Sequence, residues 1–202
     1  MQITPWRQAV VDYIRANAKP PDKFSHQARL YRLACSLAEG KAFDDDVVFG
    51  AAWMHDLGVF IGHRPEDPAA LASWDNVAYA IKETPALLAR FGFPSEKTPA
   101  VLEAIRTHQP TTQPTTFEGT LLRDADILEQ LGTVSILRTV SKVGRDTRFV
   151  LLSDALNVLR KNARELPGKL LLDSARRMAA PRVLALESFL QAAEKETDGI
   201  EW

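Results

Sequence analysis

The sequence predicts an all-α protein, and three observations lead to that prediction. Apolar residues recur at intervals of three and four along nearly the whole chain, which is the spacing of a buried helix face. No segment alternates between apolar and polar residues as a half-buried strand would. Proline, glycine and acidic residues stand where helices would begin or end.

Boundary residues mark the first helices. Thr4 and Pro5 predict an N-cap followed by proline at the first helical position. Gly40 predicts the end of the second helix, and the three aspartates at 44–46 place negative charge at the positive end of the third. Gly58 predicts the end of that third helix. The predicted helices cover about residues 4–18, 24–39, 47–58, 72–91, 99–108, 117–131, 133–143, 150–164 and 170–195.

Two loops and one internal proline interrupt this pattern. Residues 59–71 and 108–116 are rich in proline, glycine or threonine and are expected to form loops that carry function. Pro181 lies inside the last helical pattern and predicts a kink or a break there.

The composition limits the expected partners and the expected location. Lys plus Arg is 25 and Asp plus Glu is 26, giving a net charge of -1, so no global basic field favours nucleic acid or an acidic membrane. Cys35 is the one cysteine, which excludes an intramolecular disulfide and fits a reducing compartment; we expect a small buried side chain there. The N-terminus has no signal-peptide pattern, and no apolar stretch reaches membrane-spanning length. We therefore expect a cytoplasmic protein with no membrane association and no stable nucleic-acid partner.

Histidine and aspartate occupy positions on apolar helix faces. His26 shares a predicted face with leucines, and His55 and Asp56 end a helix that is otherwise almost wholly apolar, "VVFGAAWMHDLG". An unpaired buried carboxylate costs roughly several kcal/mol. A divalent cation held by both types of side chain would compensate that cost. A pair satisfied by hydrogen bonds alone is the alternative.

A further acidic group is expected on a later helix. The segment "LLRDADILEQLG" contains Asp124 and Asp126. Helical spacing slightly favours Asp124 as the inward residue, because Leu121, Leu128 and Leu131 lie on its face. Spacing alone leaves both aspartates open, and a solvated charge or a partner for Arg123 is the alternative for either.

Taken in order, "SHQARLYRLA", "AAWMHDLG" and "RDADILEQLG" resemble the HD-domain superfamily of metal-dependent phosphohydrolases. The resemblance covers about residues 20–145. It implies an HD-domain helical bundle over residues 1–145 and a C-terminal helical extension, residues 146–202, packed on the same domain. It also implies four metal ligands, and it places the last at Asp126, which follows a small residue and precedes Leu128 by two positions. The implied ligands are His26, His55, Asp56 and Asp126.

The resemblance also implies a reaction. One divalent ion (Mn, Fe, Ni, Co, Zn or Mg) would activate water to cleave a phosphoester or phosphoanhydride of a small molecule, with a nucleotide as the expected substrate. Asp56 would bind the metal and also accept a hydrogen bond from the water. Val59 stands where many members carry a lysine, so that group is missing. A single metal is expected, because the additional histidine pairs of multi-metal members are absent from the sequence.

Other side chains are candidates for contacting the substrate. His108 begins the second loop and is expected to give a proton to the leaving group or to contact phosphate, with a satisfied core histidine as the alternative. Arg29, one turn from His26, and the loop residues His63 and Arg64 are candidate phosphate contacts. A structural ion pair and a solvent-facing loop are the respective alternatives.

Two other functions remain open at the level of the sequence. "HQARLY" resembles the first motif of cyanamide-hydratase-like members, in which water would add to a nitrile. The chain could instead be a metal-stabilised nucleotide-binding or regulatory module, with a homodimer formed through the C-terminal helices at roughly 133–195.

Overall fold

The structure is a computed structural model that describes residues 4–198, and only the backbone of Asp22. These residues form ten α-helices and three short 3-10 helices and no β-strand, which confirms the all-α prediction. The α-helices are α1 (Pro5–Asn17), α2 (Asp22–Leu37), α3 (Asp45–Met54), α4 (Pro68–Ala72), α5 (Asn76–Phe91), α6 (Thr98–Arg106), α7 (Phe117–Glu129), α8 (Thr133–Val140), α9 (Leu152–Glu165) and α10 (Asp173–Thr197). The 3-10 helices are Leu57–Val59, Ser95–Lys97 and Pro167–Lys169.

The chain divides into two compact units, Met1–Arg123 and Asp124–Trp202, and the division falls within α7. The assignment of residues 1–145 to an HD-type domain and of 146–202 to an extension stays a prediction. No helix within residues 4–198 is both long and apolar enough to span a membrane.

In the first unit, α3 is the central helix and contacts α1, α2, α5 and α6. Every residue from Val47 to Met54 is buried, which explains why this segment is apolar around its whole circumference. Gly50 allows close packing on α6, since a Cβ there would lie 3.1 Å from Cγ2 of Val101. The helix that leads to His55 is therefore fixed on several sides.

The start of α3 is stabilised by charge, as the three aspartates predict. Asp44 caps the helix by accepting hydrogen bonds from two backbone amides. Arg7 donates to Asp45 and Asp46 at 2.7 Å each. Lys97 donates to Asp44 at 3.0 Å and to Asp46 at 2.8 Å. These bonds connect the N-terminus of α3 to α1 and to the segment before α6.

The end of α3 differs from the prediction. The helix ends at Met54 with His55 as its C-cap, so the prediction that Gly58 closes it is wrong. Gly58 lies in a 3-10 helix, and a Cβ there would lie 2.5 Å from the backbone oxygen of Asn76. Nε1 of Trp74 donates to the carbonyl of Gly58 at 2.7 Å. The glycine is needed because the start of α5 approaches this turn closely.

The loop predicted at 59–71 contains the short helix α4, so that prediction is only partly correct. Pro68 occupies the first turn, and the side chain of Asp67 accepts a hydrogen bond from the amide of Ala70. The helix predicted from residue 72 begins at Asn76, where Asp75 caps it. Local capping by aspartate therefore sets both boundaries.

In the second unit, α8, α9 and α10 contact one another. α10 continues through Pro181, so the break considered at that position does not occur. A proline removes one amide donor from a helix. Ala179 and Leu186, which flank Pro181, are both buried, so packing holds α10 on either side.

Candidate metal centre

His26, His55 and Asp56 form a group in which one ligand atom from each residue lies within 4.8 Å of the others. Nε2 of His26 is 3.7 Å from Oδ2 of Asp56, and Nε2 of His55 is 3.5 Å from Oδ1 of the same carboxylate. Both histidines are 1% exposed. The structure therefore brings together three of the four side chains that the resemblance implies as ligands.

Helix packing places these three groups. His26 lies near the start of α2 on the face that also carries the buried residues Leu30, Leu33 and Leu37. His55 is the C-cap of α3, and Asp56 follows it outside the helix. Because α2 packs against α3, the rings of His26 and His55 lie 5.4 Å apart between centroids.

Hydrogen bonds set the orientation of two imidazole rings. Nδ1 of His55 donates to the backbone oxygen of Ala52 at 3.0 Å, which places the lone pair of the neutral ring on Nε2, the atom facing Asp56. Nδ1 of His108 donates to the backbone oxygen of Ile105 at 2.6 Å. The rings of His55 and His108 lie 5.1 Å apart between centroids, so the predicted acid is next to the group.

The carboxyl group of Asp56 is ionised, although burial alone would favour its neutral form. Burial raises the pKa of the Asp56 carboxyl, but the positive charge that His55 and His26 carry when protonated outweighs burial and brings the pKa well below its usual range. Lys23 and His108 act in the same direction. A bound cation would also stabilise the ionised carboxylate. Lys23 is not indicated by any motif of the sequence, and its one signal is its position on α2, three residues before His26.

The chemistry of these donors fits a metal ion. Two buried imidazoles, one of them oriented by a hydrogen bond, and one ionised carboxylate form a mixed nitrogen and oxygen set. Such a set suits several first-row transition metals. The group of His26, His55 and Asp56 could therefore hold a divalent cation.

The two aspartates of α7 have different surroundings. Asp124 is fully buried, as helical spacing suggested, and its Oδ2 accepts the backbone amides of Leu171 at 2.9 Å and Leu172 at 2.7 Å, at the start of α10. Asp126 is half-buried, and Nε2 of Gln130 donates to its Oδ2 at 3.2 Å. Asp124 thus has a capping role, and Asp126 as fourth ligand stays a prediction from the motif.

The remaining candidates lie outside the three-residue group. Arg29 is half-buried and donates to the hydroxyl of Ser25 at 2.9 Å. His63 is half-buried and packs between Phe60 and Tyr79, with ring centroids 5.7 and 5.8 Å away. Burial lowers the pKa of His63. Arg64 is also half-buried. Their substrate-binding roles stay predictions.

The helical fold and the His/His-Asp group together define a class of protein. The family model described as HD domain matches residues 24–131, more than half of the 202 residues. The chain belongs to the HD-domain family, and the resemblance stated from the sequence is confirmed.

Solved structures share this fold over nearly the whole chain. YpgQ of Bacillus subtilis, solved in complex with ADP, is 23% identical with a TM-score of 0.71 and covers 96% of this chain and 100% of its own. An HD-superfamily hydrolase of Bacillus thuringiensis is 21% identical with a TM-score of 0.68, covering 96% of this chain and 97% of its own. A predicted HD-superfamily hydrolase from an uncultured Thermotogales bacterium is 25% identical with a TM-score of 0.65, covering 95% and 93%. The chain therefore has the fold of HD-superfamily hydrolases. No curated protein matches the chain.

Proposed function

We propose that this protein is a metal-dependent phosphohydrolase of the cytoplasm that cleaves a phosphoester or phosphoanhydride bond of a nucleotide. The observation that supports this proposal is the group of buried His26, buried His55 and partly exposed Asp56, formed where α2 packs against α3 in a chain of the HD-domain family. Asp126 is proposed as the fourth ligand on the basis of the motif alone.

A divalent cation held by this group would supply Lewis-acid chemistry, neutralising phosphoryl charge and activating water for hydrolysis. The protein's part is to hold the carboxylate and the imidazoles in place. His55 is oriented through its bond to Ala52, and Asp56 stays ionised, so that its oxygens accept hydrogen bonds throughout the working pH range. In our proposal the carboxylate of Asp56 also accepts a hydrogen bond from the attacking water.

His108 is proposed as the group that protonates the leaving oxygen. Its Nδ1–H is engaged with the carbonyl of Ile105, so the transferred proton is the one on Nε2. The ring is 5% exposed and lies beside His55, which keeps competing water away from the reacting groups. Val59 stands where many members carry a lysine, and this leaves His108 as the acid in the proposal.

The proposed substrate is a nucleotide. YpgQ, which has the same fold, was solved with ADP, and this supports a nucleotide ligand for the present chain. Arg29, His63 and Arg64 are proposed as phosphate contacts, since arginine binds phosphate oxygens through charge-assisted hydrogen bonds and a neutral imidazole can donate its N–H to them. All three are half-buried and have atoms that reach the surface.

Metal removal and restoration tests this proposal. The protein is stripped with a chelator, reloaded with single cations, and assayed against nucleoside mono-, di- and triphosphates and simple phosphomonoesters. We expect turnover that needs one of the cations and that falls by at least about 100-fold in Asp56→Asn. Asp12→Asn, an exposed aspartate on α1, is the matched control and should keep the wild-type rate. No metal-dependent turnover on the whole panel would contradict the proposal.

Further assays of the metal-loaded protein distinguish the phosphohydrolase from the two alternative functions. Turnover of cyanamide or a nitrile without turnover of phosphates would favour the hydratase suggested by "HQARLY". A metal-loaded protein that retains a nucleotide without cleaving it would favour a binding module. A homodimer through the C-terminal helices is also proposed, and light scattering over a range of concentrations would detect it.

A further inference from the structure

Arg123 is a buried cation that binds the loop following His108. It is 3% exposed. Its Nε donates to the backbone oxygen of Thr112 at 3.1 Å, and its Nη2 donates to the backbone oxygen of Pro110 at 3.0 Å. A buried guanidinium is costly unless its donors are satisfied. Its planar fork also fixes two carbonyl groups relative to each other, which the single ammonium of lysine cannot do.

Hydrogen bonds within the loop surround the two bonds from Arg123. The amide of Thr112 donates to the carbonyl of Gln109 at 3.0 Å. The hydroxyl of Thr112 lies 2.7 Å from the carbonyl oxygen of Thr107 and 2.8 Å from that of Gln109. Thr107 and Gln109 are the two neighbours of His108 in the chain. A displacement of Thr112 would therefore reach the peptides on both sides of His108.

A further contact ties the far part of this loop to α6. The hydroxyl of Thr115 donates to Oε1 of Glu103 at 2.9 Å. The loop from 108 to 116 thus has fixed points at α6 and at Arg123. Its first residue, His108, is held by its own bond to Ile105.

We propose that Arg123 is a positioning residue that acts through Thr112 and Pro110 to hold the imidazole of His108 beside His55. This inference rests on the proposed function, in which His108 gives a proton to the leaving group. Arg123 touches neither the substrate nor the metal in this proposal. It limits the conformations of the turn at 109–112, and thereby the direction of Nε2 of His108.

The first test does not depend on turnover. In the metal-loaded protein, the ring nitrogens of His108 are observed by NMR after histidine-selective labelling with 15N. The wild-type protein should give one 15N signal for Nδ1 of His108, at the position of a protonated nitrogen, because that atom donates to the carbonyl of Ile105. In Arg123→Lys we expect this signal to shift and broaden while the signals of His26 and His55 stay in place. An unchanged His108 signal in folded Arg123→Lys would overturn the proposal.

The second test uses the reaction and a double-mutant cycle. Arg123→Lys should lower kcat by about 10- to 100-fold with little change in KM, since a small misplacement of a reacting group has an effect of that size. If Arg123 acts through His108, then Arg123→Lys should add almost nothing in the background of His108→Gln. Losses that simply multiply in the double variant would contradict the positioning role.

Two further variants keep the tests decisive. Arg90→Lys makes the same substitution at an exposed arginine of α5 and should change neither the NMR signal nor kcat. Thr112→Val removes only the hydroxyl bonds and should move the His108 signal in the same direction with a smaller effect. This variant still tests the proposal if Arg123→Lys does not fold. If wild type turns over no phosphate, the proposed function fails, but the NMR test still decides whether Arg123 positions His108.

Discussion

Nε2 of His55 lies 3.5 Å from Oδ1 of Asp56, the next residue in the chain. Neighbouring side chains on a helix point about 100° apart, so both could not face one centre from the middle of a regular helix. The helix ends at Met54, and Asp56 has left the helical path. The termination of α3 therefore makes it possible for consecutive residues to approach a common ion.

Removal of the shared carboxylate should release the metal. We expect Asp56→Asn to weaken the binding of a divalent cation by more than about 10-fold, because even changes next to metal ligands have effects of 10- to 100-fold. Metal content after dialysis, measured by elemental analysis, together with calorimetric titration, checks this prediction. Asp12→Asn should bind as wild type does, and an Asp56→Asn protein with unchanged affinity would contradict the assignment.

Substitution of the glycine after the His-Asp pair should distort the turn. A Cβ at residue 58 would lie 2.5 to 2.9 Å from backbone atoms of Asn76, which cannot move as a flexible side chain can. We expect Gly58→Ala to lower the free energy of unfolding by about 1–3 kcal/mol. Gly168→Ala is the control, since a Cβ there meets nothing within 4 Å. Urea unfolding curves of both variants give the comparison, and equal stabilities would show that the turn tolerates a side chain.

The parts of the fold that depend on neighbouring residues could be predicted from the sequence. Asp44 caps α3 through amides two and three residues away, so the acidic run was a sufficient signal. The inward position of His26 followed from the leucines on its own helix. The order of motifs along the chain was enough to indicate the family.

The parts that depend on distant residues could not be predicted in the same way. Gly58 is required by the backbone of Asn76, and Asp124 is bound to amides more than forty residues later in the chain. Arg123 donates to backbone carbonyl groups of a loop. Every residue type has such a carbonyl, so the sequence does not indicate which of them will accept a hydrogen bond. Helical spacing correctly predicted that Asp124 points inward, but it could not predict which groups the carboxylate binds.

Substitutions of the two aspartates of α7 should have different effects, one on stability and the other on metal binding. Asp124→Ala leaves the amides of Leu171 and Leu172 without their buried acceptor, so we expect a loss of about 1–3 kcal/mol in the free energy of unfolding. Asp126→Asn should leave unfolding nearly unchanged and weaken metal binding by more than about 10-fold, if Asp126 is the fourth ligand. Denaturant unfolding and metal titration of both variants measure the two effects. The opposite pattern would assign the ligand role to Asp124.

The charge network at the start of α3 predicts a pH dependence of stability. Burial raises the pKa of Asp46, but hydrogen bonds from Lys97 and Arg7 outweigh it and lower the pKa below the ordinary value of 3.8. A lowered pKa in the folded state means that Asp46 stabilises the protein above the unfolded value, and that this stabilisation is lost as the pH falls through the folded value. Asp46→Asn should therefore be less stable by on the order of 1 kcal/mol near neutral pH, and equal to wild type well below pH 3.8. Unfolding curves across this range test it, and a difference that persists in acid would exclude the electrostatic cause.

The single cysteine should react slowly with alkylating reagents. Burial raises the pKa of the Cys35 thiol from 9.0 to about 11, and the carboxylate of Asp45, 3.8 Å from Sγ, contributes in the same direction. The thiolate is the reactive form, so at about pH 8 its population should be roughly 100-fold below that of an ordinary thiol. Iodoacetamide labelling followed by mass spectrometry should show a rate lower by about this factor than in the same chain unfolded in urea. The rate of the folded protein should continue to rise with pH beyond 9.0, and a plateau at that value would show that the thiol is not perturbed.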